Sequence, residues 1–385
     1  MVKRFMKIMV NIGHPAQVHL FKNFIWEMSK RGHELLISAS DKEMAYTLLD
    51  SYGLGYIKLG SPGKSMAKKI INMLAMDVKI YAAARKFKPD IFLAHASICS
   101  PQISRAMKKP MINFDDDEHT YAFYKHLASC VCGFSGFRIA GENIIKIDSY
   151  KELAYLHPNW YHPDKSILGE KNVPFDGDYV VLRFAAWNAF HDVGKSGLGL
   201  EEKKKLIREL EKYARVLITS EDPLPEELKK YGIQSDPNKI HDIIYNARLL
   251  VCDSGTMATE AAILGTPTVR CNSYVGKNDL HNFIQLEQKY GLIFNYRNSD
   301  EAIGKAVEIL KDQGTKREWK RKSDVLLADK IDVTSFMIWL VENYPQSLQE
   351  MKDHPEVQYQ FKQGAMRRPL AASPPGEIRV NTHKY

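Results

Sequence analysis

Residues 249–270, LLVCDSGTMATEAAILGTPTVR, constrain the fold of this chain more than any other stretch. Four apolar residues typical of a buried strand come first, and the small residues 253–256 follow as a turn. A helical pattern then ends at Gly265, and residues 267–270 are typical of a second strand. The order strand, turn, helix, strand predicts an α/β protein with a parallel sheet.

The turn in this stretch has the composition of an anion site. Ser254, Gly255 and Thr256 stand where the helix begins, so free backbone N–H groups and the positive end of the helix dipole favour a phosphate there. Glu260 follows on the same helix, within reach of a sugar attached to that phosphate. We interpret the turn as a diphosphate site and Glu260 as a ribose ligand. Spacing alone leaves open that the three turn residues are only helix caps.

The pattern DSGxxxxEAxxxGxP at residues 253–267 resembles the nucleotide-sugar-binding segment of GT-B-fold proteins, especially UDP-N-acetylglucosamine 2-epimerases and related glycosyltransferases. Within that group the chain as far as about Tyr344 most resembles the DUF354 family. It departs from the epimerases, which usually have two glycines after the serine and two adjacent glutamates. Here Thr256 replaces the second glycine and Thr259 precedes a single glutamate.

The resemblance implies two doubly wound, Rossmann-like parallel-sheet domains that face each other across a cleft. The alternation of strand and helix patterns along the chain favours such sheets independently. We predict an N-terminal acceptor domain at residues 1–165 and a C-terminal nucleotide-sugar domain at 166–345. In GT-B proteins the last helix can cross back onto the first domain, and residues 332–343 have the pattern for it. Residues 346–385 lack periodicity and are predicted to be poorly ordered or to bind a partner.

The first strand, at residues 6–12, leads into a turn that carries Gly13 and His14. This turn departs from the fingerprint G-x-G-x-x-G, which argues against a nicotinamide cofactor. It resembles the first loop of GT-B proteins, where a glycine and a nearby histidine face the cleft. We therefore predict a substrate-binding role for Gly13 and a catalytic role for His14.

An acidic run, DDDEH at residues 115–119, follows a strand at residues 110–114. Ligands of open parallel sheets bind at the carboxyl ends of the strands, and crowded carboxylates raise one another's pKa. Asp116 and Glu118 are therefore candidate acid–base catalysts. Two alternatives stay open, a solvated loop that caps the next helix and a Mg²⁺ site. The resemblance is to enzymes that need no metal for chemistry, so we assign neither a metal nor a cofactor.

The second domain opens with a strand at residues 179–184 that contains Arg183, and a long loop follows. This loop carries His191, Asp192 and Lys195, which can contact phosphate, and the histidine titrates near neutral pH. The loop resembles the second-domain loop that carries a histidine in the epimerases, although the adjacent arginines expected there are missing. Asn272 follows the strand that ends the motif, and we expect it to bind the sugar.

Composition narrows the class of protein. The chain has 385 residues, of which 44% are hydrophobic and 26% charged, so it is long enough for two domains with separate cores. Its net charge of +8 is spread over helices among glutamates, which argues against nucleic acid as a partner. The five cysteines form no even framework, and four of them stand in apolar surroundings typical of buried free thiols, which favours a reducing cytoplasm. No apolar stretch is long enough to cross a membrane.

We therefore expect a GT-B glycosyltransferase that binds a nucleoside diphosphate sugar, with a UDP sugar as first choice. The acceptor, a glycan or a lipid-linked molecule, would dock on the acidic run and the first turn. A nucleotide-sugar 2-epimerase that uses Asp115, Glu118 and His191 is the second hypothesis. A non-catalytic nucleotide or glycan sensor is the third. Peripheral membrane contact and a homodimer stay open.

Overall fold

The computed structural model describes residues 5–61, 63, 66–170, 172–174, 178–186, 196–276 and 279–362. The chain divides into two compact units: unit 1 is Met1–Trp160 with Lys330–Tyr385, and unit 2 is Tyr161–Asp329. We predicted a boundary at 165/166 and a second domain that reaches residue 345. The structure instead divides the chain after Trp160 and returns it to unit 1 at Lys330.

Unit 1 is built on a parallel sheet of seven strands. The strands are β1 (Lys7–Ile12), β2 (Glu34–Ser40), β3 (Ile57–Gly60), β4 (Ile91–His95), β5 (Met111–Asp115), β6 (Cys130–Gly133) and β7 (Ile144–Lys146). Their order across the sheet is β3-β2-β1-β4-β5-β6-β7. The chain thus builds outward from β1 to β3 and then resumes with β4 on the other side of β1. Every residue of β4 and β5 is buried, as expected for strands covered on both faces.

Helices between and after these strands cover the sheet. They are α1 (Pro15–Lys30), α2 (Ala45–Ser51), α3 (Met66–Phe87), α4 (Cys99–Ala106), α5 (Tyr121–Tyr124) and α6 (Leu153–Leu156). Helix α1 begins directly after β1, where Pro15 suits the first helical position because its missing N–H needs no partner there. Its Leu20, Phe21 and Phe24 are fully buried and anchor it to the core.

Unit 2 has a smaller parallel sheet of five strands. The strands are β8 (Tyr179–Phe184), β9 (Arg215–Ser220), β10 (Leu249–Cys252), β11 (Thr268–Cys271) and β12 (Ile293–Tyr296), in the order β12-β11-β10-β8-β9. The helices are α7 (Leu200–Leu210), α8 (Ile240–Asn246), α9 (Gly255–Leu264), α10 (His281–Gln288), α11 (Ser299–Lys311) and α12 (Thr315–Asp329). Two parallel-sheet α/β domains are therefore present, which confirms the predicted fold class.

The C-terminal segment of unit 1 is ordered well beyond the point we predicted. Helix α13 (Val333–Glu342) is followed by α14 (Gln346–Asp353) and a 3₁₀ helix, Pro355–Phe361. Met351 and Phe361 are buried, and the Phe361 ring centroid lies 5.6 Å from that of Trp339. The prediction of a poorly ordered tail from residue 346 is thus wrong as far as residue 362. The few apolar residues of this segment stand among polar ones and gave no periodic signal.

In both sheets the carboxyl ends of the strands share one edge. The strand order reverses between β1 and β4 in unit 1 and between β8 and β10 in unit 2. Loops that leave such a pair of strands diverge to opposite faces, and the crevice between them is where open α/β sheets bind ligands.

All five cysteines are free thiols, as predicted. Within the described ranges, no helix combines the length and the apolar character needed to span a membrane.

Candidate functional site

Helix α9 starts at the strand-order reversal of unit 2, directly after β10. Ser254 is its N-cap in an extended conformation, and the serine side chain makes no capping hydrogen bond. The first turn has no acidic residue, and the helix ends at Gly265, which adopts a left-handed φ of 72°. Ser254, Gly255 and Thr256 are each partly exposed. The first amides of α9 are thus not capped by Ser254, as an anion site requires.

Buried polar bonds hold this turn in place. The Asp253 carboxylate accepts a hydrogen bond from the Ala185 N–H at 2.7 Å, which ties the end of β10 to the end of β8. Asn272 donates through Nδ2 to the Asp253 carbonyl at 2.9 Å and accepts from the Tyr274 N–H at 3.0 Å. Asn272 is only 4% exposed. The predicted sugar ligand is therefore a brace between β10 and β11 in this structure.

Gly255 packs directly on an aromatic ring. A Cβ atom at this position would lie 2.7 Å from Cζ of Phe283, which is buried on α10. The guanidinium carbon of Arg270 lies 3.9 Å from the centroid of the same ring. Arg270 in turn donates to both carboxylate oxygens of Asp279, at 2.6 and 3.1 Å. Packing against Phe283 therefore requires a glycine at position 255, whether or not a ligand binds there.

Arg183, the predicted phosphate contact on β8, already has carboxylate and hydroxyl partners. Its Nη2 lies 2.6 Å from Glu221 Oε1 and its Nη1 lies 3.2 Å from Thr219 Oγ1. Glu221 also accepts a hydrogen bond from the Ala186 N–H at 2.9 Å. Arg183 is thus held at the sheet edge by β9 and the residues that follow it. The predicted loop residues are outside the described ranges: His191, Asp192 and Lys195.

Glu260, the predicted ribose ligand, has a partner inside unit 2. It is 4% exposed, and its Oε1 lies 3.1 Å from Nε2 of His241, which is equally buried on α8. A ribose hydroxyl would have to share or replace this contact. His241 was missed at the sequence level because it lies on a different helix, 19 residues away.

In unit 1, His14 serves as the N-cap of α1. Its Nδ1 accepts a hydrogen bond from the Ala16 N–H at 3.1 Å, so the proton of the neutral ring is on Nε2, 3.4 Å from Glu43 Oε1. Gly13 donates its N–H to Gln17 Oε1 at 2.6 Å, and Gln17 donates to the His95 carbonyl at 3.0 Å. These bonds couple the loop after β1 to the end of β4. The Nδ1 lone pair of His14 is engaged by the backbone.

The end of β4 holds a dyad that the sequence did not reveal. Nε2 of His95 lies 3.0 Å from Oδ1 of Asp116, and Nζ of Lys151 contacts the other carboxylate oxygen. Side-chain exposures of 10%, 18% and 13% show that solvent reaches all three only slightly. Ala96, next to His95, has a left-handed φ of 49°. Such strain in a residue with a Cβ costs about 1–2 kcal/mol and concentrates at functional sites.

The charges of this group are set by their mutual contacts. Burial raises the pKa of Asp116, but Lys151 and His95 outweigh it and hold the pKa well below its ordinary range. Burial lowers the pKa of Lys151, and Asp116 with Glu152 more than reverses that effect. Asp116 is therefore a carboxylate and Lys151 an ammonium at neutral pH. No local pattern marked Lys151, which is 35 residues from Asp116.

Two more of the acidic residues of the run, Asp115 and Glu118, support the backbone. Asp115 is fully buried and accepts hydrogen bonds from the N–H groups of Asp116 and Asp117, at 2.8 and 3.2 Å, and from the Tyr124 hydroxyl. Burial raises the pKa of Asp115 to about 7, against the opposing effect of His95. Glu118 Oε1 accepts the N–H groups of Arg138 and Ile139, at 2.5 and 3.1 Å. Glu118 thus clamps a neighbouring loop.

Ligand atoms of His95, Asp115 and Asp116 lie within 4.8 Å of one another, a grouping that can hold a metal ion. However, the Lys151 ammonium already neutralises Asp116, and three hydrogen bonds occupy the Asp115 oxygens. Little anionic capacity remains for a divalent cation. His95, Asp115 and Asp116 therefore fit a hydrogen-bonded network whose charges are already balanced better than they fit a metal centre.

Comparison with known proteins shows the relations of the chain. Residues 6–343 match the model of a family described as "Protein of unknown function (DUF354)". An uncharacterised protein of Methanocaldococcus jannaschii is 23% identical over 283 residues, which cover 69% of this chain and 81% of that protein.

Solved structures of two enzyme classes share the fold. The UDP-GlcNAc 2-epimerase of Neisseria meningitidis, solved with UDP-GlcNAc bound, superposes with a TM-score of 0.61 at 14% identity, covering 90% of this chain and 100% of the epimerase. A glycosyltransferase of Streptomyces sp. SF2575, in complex with thymidine diphosphate, gives 0.56 at 16% identity, with 88% and 99% covered. The glycotransferase of kitacinnamycin gives 0.59 at 13%, with 88% and 99% covered. The likeness shows a GT-B fold.

Proposed function

We propose, from the premise that the chain belongs to the DUF354 family, that this protein is a glycosyltransferase whose donor is a nucleoside diphosphate sugar. The observation that carries the proposal is the start of α9 at the strand-order reversal of unit 2, where the Ser254 side chain leaves the first amides uncapped. The structural neighbours support it, since one was solved with UDP-GlcNAc and another with thymidine diphosphate. A UDP sugar is our first choice of donor.

Unit 2 would hold the diphosphate. The amides of Gly255 and Thr256, with the positive end of the α9 dipole, suit the phosphate oxygens. In a transfer reaction the leaving diphosphate gains negative charge, so donors fixed in advance stabilise the transition state more than the ground state. The bonds of Asp253 and Asn272 described above fix these donors before the ligand arrives. We propose Glu260 as the ribose ligand. A ribose hydroxyl would replace His241 as the partner of its carboxylate.

Unit 1 would activate the acceptor. The Asp116 carboxylate lies 3.0 Å from Nε2 of His95 without the alignment of a hydrogen bond, and its negative charge favours the tautomer with a proton on Nε2 and a lone pair on Nδ1. The acceptor hydroxyl would form a bond to the anomeric carbon, and its proton would pass to that lone pair. The bond from the anomeric carbon to the diphosphate oxygen would break, and its electron pair would stay on that oxygen. We place the base on His95 rather than on His14, since the His14 lone pair already accepts the Ala16 N–H.

Binding is the first test. Isothermal titration with UDP, GDP, ADP, CDP and TDP should yield a dissociation constant for at least one of them, and the start of α9 should be needed for it. If none of the five binds to the full chain, the donor assignment is wrong, and with it the transferase proposal.

Turnover in D₂O separates the reaction classes. With the nucleotide sugar that binds best, a transferase releases nucleoside diphosphate only when an acceptor is supplied and leaves hydrogen at C2 of the sugar. A 2-epimerase incorporates deuterium at C2 without an acceptor. Tight binding with neither reaction, across a panel of glycan and lipid-linked acceptors, would identify a sensor.

A further inference from the structure

Helix α3 carries a row of large apolar side chains on its exposed side. Ile71, Leu74, Val78 and Tyr81, here called the apolar row, are 65%, 60%, 68% and 38% exposed. At 100° per residue, their spacing places them within about 80° of arc on one side of the helix. The row extends for about 15 Å along the helix axis.

The core of unit 1 does not need these side chains. Helix α3 buries a different side, with Met76, Ile80, Ala84 and Phe87 packed in the interior. The helix therefore has one apolar side for the core and a second for solvent. Contiguous exposed apolar side chains mark an interaction surface more often than scattered ones do.

Positive charge runs beside the apolar row. Lys68, Lys79 and Lys86, here called the lysine row, are exposed and lie within about 20° of one another on the adjoining side of the helix. The Nζ of Lys79 also donates to the Leu59 carbonyl at 2.8 Å. Arg85 is exposed at the C-terminal end, with its guanidinium carbon 6.0 Å from the Tyr81 ring centroid. The one carboxylate in the α3 sequence, Asp77, is partly buried and lies about 40° beyond Tyr81, on the side of the apolar row opposite the lysine row.

We propose that this side of α3 binds the surface of an anionic lipid bilayer. The apolar row would enter the boundary between headgroups and acyl chains, and the lysine row would meet lipid phosphates. Charge complementarity decides the occupant: a second copy of the same helix would bring lysines against lysines, which costs free energy, whereas an anionic membrane attracts them. The proposal is independent of the enzymatic activity proposed above.

The test is co-sedimentation of the full chain with large vesicles. Wild-type protein should pellet with an equimolar mixture of phosphatidylcholine and phosphatidylglycerol, should pellet far less with phosphatidylcholine alone, and should be released by added salt. The double variant Leu74→Glu/Val78→Glu should bind the mixed vesicles at least about ten-fold more weakly, because two apolar contacts become anions. Lys68→Gln should weaken binding about five-fold, the effect of ~1 kcal/mol per lysine near the surface.

A matched control is available in unit 2. Val325 is 54% exposed on α12, a helix that is also rich in lysine and arginine but has no apolar row. Val325→Glu should leave vesicle binding unchanged. Circular dichroism melting should show that all three variants are folded, since the altered side chains are exposed.

Two results would overturn the proposal. One is equal pelleting of wild type and Leu74→Glu/Val78→Glu with the mixed vesicles. The other is a wild type that ignores vesicles but forms a dimer in light scattering, with the dimer lost in the double variant; self-association would then be the role of the apolar row. Nucleoside diphosphate binding on the same samples reports separately on the enzymatic proposal.

Discussion

His95 and Asp116 meet at the carboxyl edge of unit 1, with Nε2 of the histidine 3.0 Å from Oδ1 of the aspartate. His95 ends β4 and pairs in register with Phe114 on β5, two residues before Asp116. Hydrogen bonds of the parallel sheet therefore fix the Cα positions of His95 and of Asp115, the residue before Asp116. Lys151 adds a cation to the far side of the carboxylate. Such an arrangement favours one imidazole tautomer before any substrate binds.

The first prediction concerns this dyad. His95→Gln should lower the single-turnover rate by roughly a hundredfold or more, because a general base contributes to the transition state. Donor affinity, measured by calorimetry, should stay nearly constant, since we propose that the phosphates bind in unit 2. Asp116→Asn should lower the rate as well, because it removes the charge that orients the ring.

His14→Asn is the matched control for His95. Asparagine is a strong N-cap residue, so it can replace the bond from Ala16 and keep α1 intact. We expect a rate within a few-fold of wild type. A loss as large as that of His95→Gln, with melting unchanged, would move the base to His14.

The second prediction concerns pH and stability. The pKa of Asp115 is raised to about 7 in the folded protein, against about 3.9 in an unfolded chain. The native state therefore binds more protons between those values, and its stability falls as pH rises from about 4 to about 7. Asp115→Asn should abolish this loss, so the difference in free energy of unfolding between variant and wild type should change with pH in that window.

Asp116 should have the opposite effect. Its pKa is held below the ordinary range, so its contribution to stability is present above about pH 4 and disappears as the pH falls through the lowered folded pKa. Urea unfolding of Asp115→Asn and Asp116→Asn across a pH series measures both effects. Parallel curves for the two variants would contradict the assigned charge states.

The third prediction separates packing from binding at Gly255. Gly255→Ala places a Cβ about 2.7 Å from Phe283, and overpacking of this kind costs roughly 1–3 kcal/mol. In the single variant, stability and UDP affinity should therefore fall together. This variant alone does not distinguish a packing role of Gly255 from a binding role. Adding Phe283→Leu should relieve the contact and recover part of the melting temperature, although the contact of the ring with Arg270 is lost. If a close approach of phosphate needs glycine, UDP binding should stay weak in the double variant.

The fourth prediction tests the ribose role of Glu260. Glu260→Gln should weaken UDP binding by about ten-fold or more, because hydrogen bonds to charged groups contribute about 1.5–3 kcal/mol. Its affinity for inorganic pyrophosphate, which has no ribose, should be unchanged. His241→Gln removes the internal partner of Glu260. It should lower the melting temperature clearly and change the UDP affinity little. If Glu260→Gln lost affinity for pyrophosphate as much as for UDP, Glu260 would support the diphosphate site at the turn and not the ribose.

The motif and its fold could be predicted because their signals are local. The helix pattern before Gly265 and the apolar runs on either side correspond to α9, β10 and β11 within two residues. The contacts that define the site are not local. Lys151 reaches Asp116 from another loop, and Phe283 lies beneath Gly255 from another helix, so neither leaves a periodic trace. The structural role of Glu118 was hidden for the same reason, because its partners are backbone amides 20 residues away.

Unit 1 is assembled from two separate stretches of chain, and this governs the order in which the protein can fold on the ribosome. Unit 2 is one continuous stretch and can complete its sheet as soon as it emerges. Unit 1 must wait for Asp332, whose carboxylate accepts hydrogen bonds from Asn159 and Trp160, and for α13, which packs on α1. Until then a nascent chain exposes an unfinished apolar face. Premature termination within unit 2 should therefore produce an aggregation-prone fragment, even though the whole sheet of unit 1 has already been synthesised.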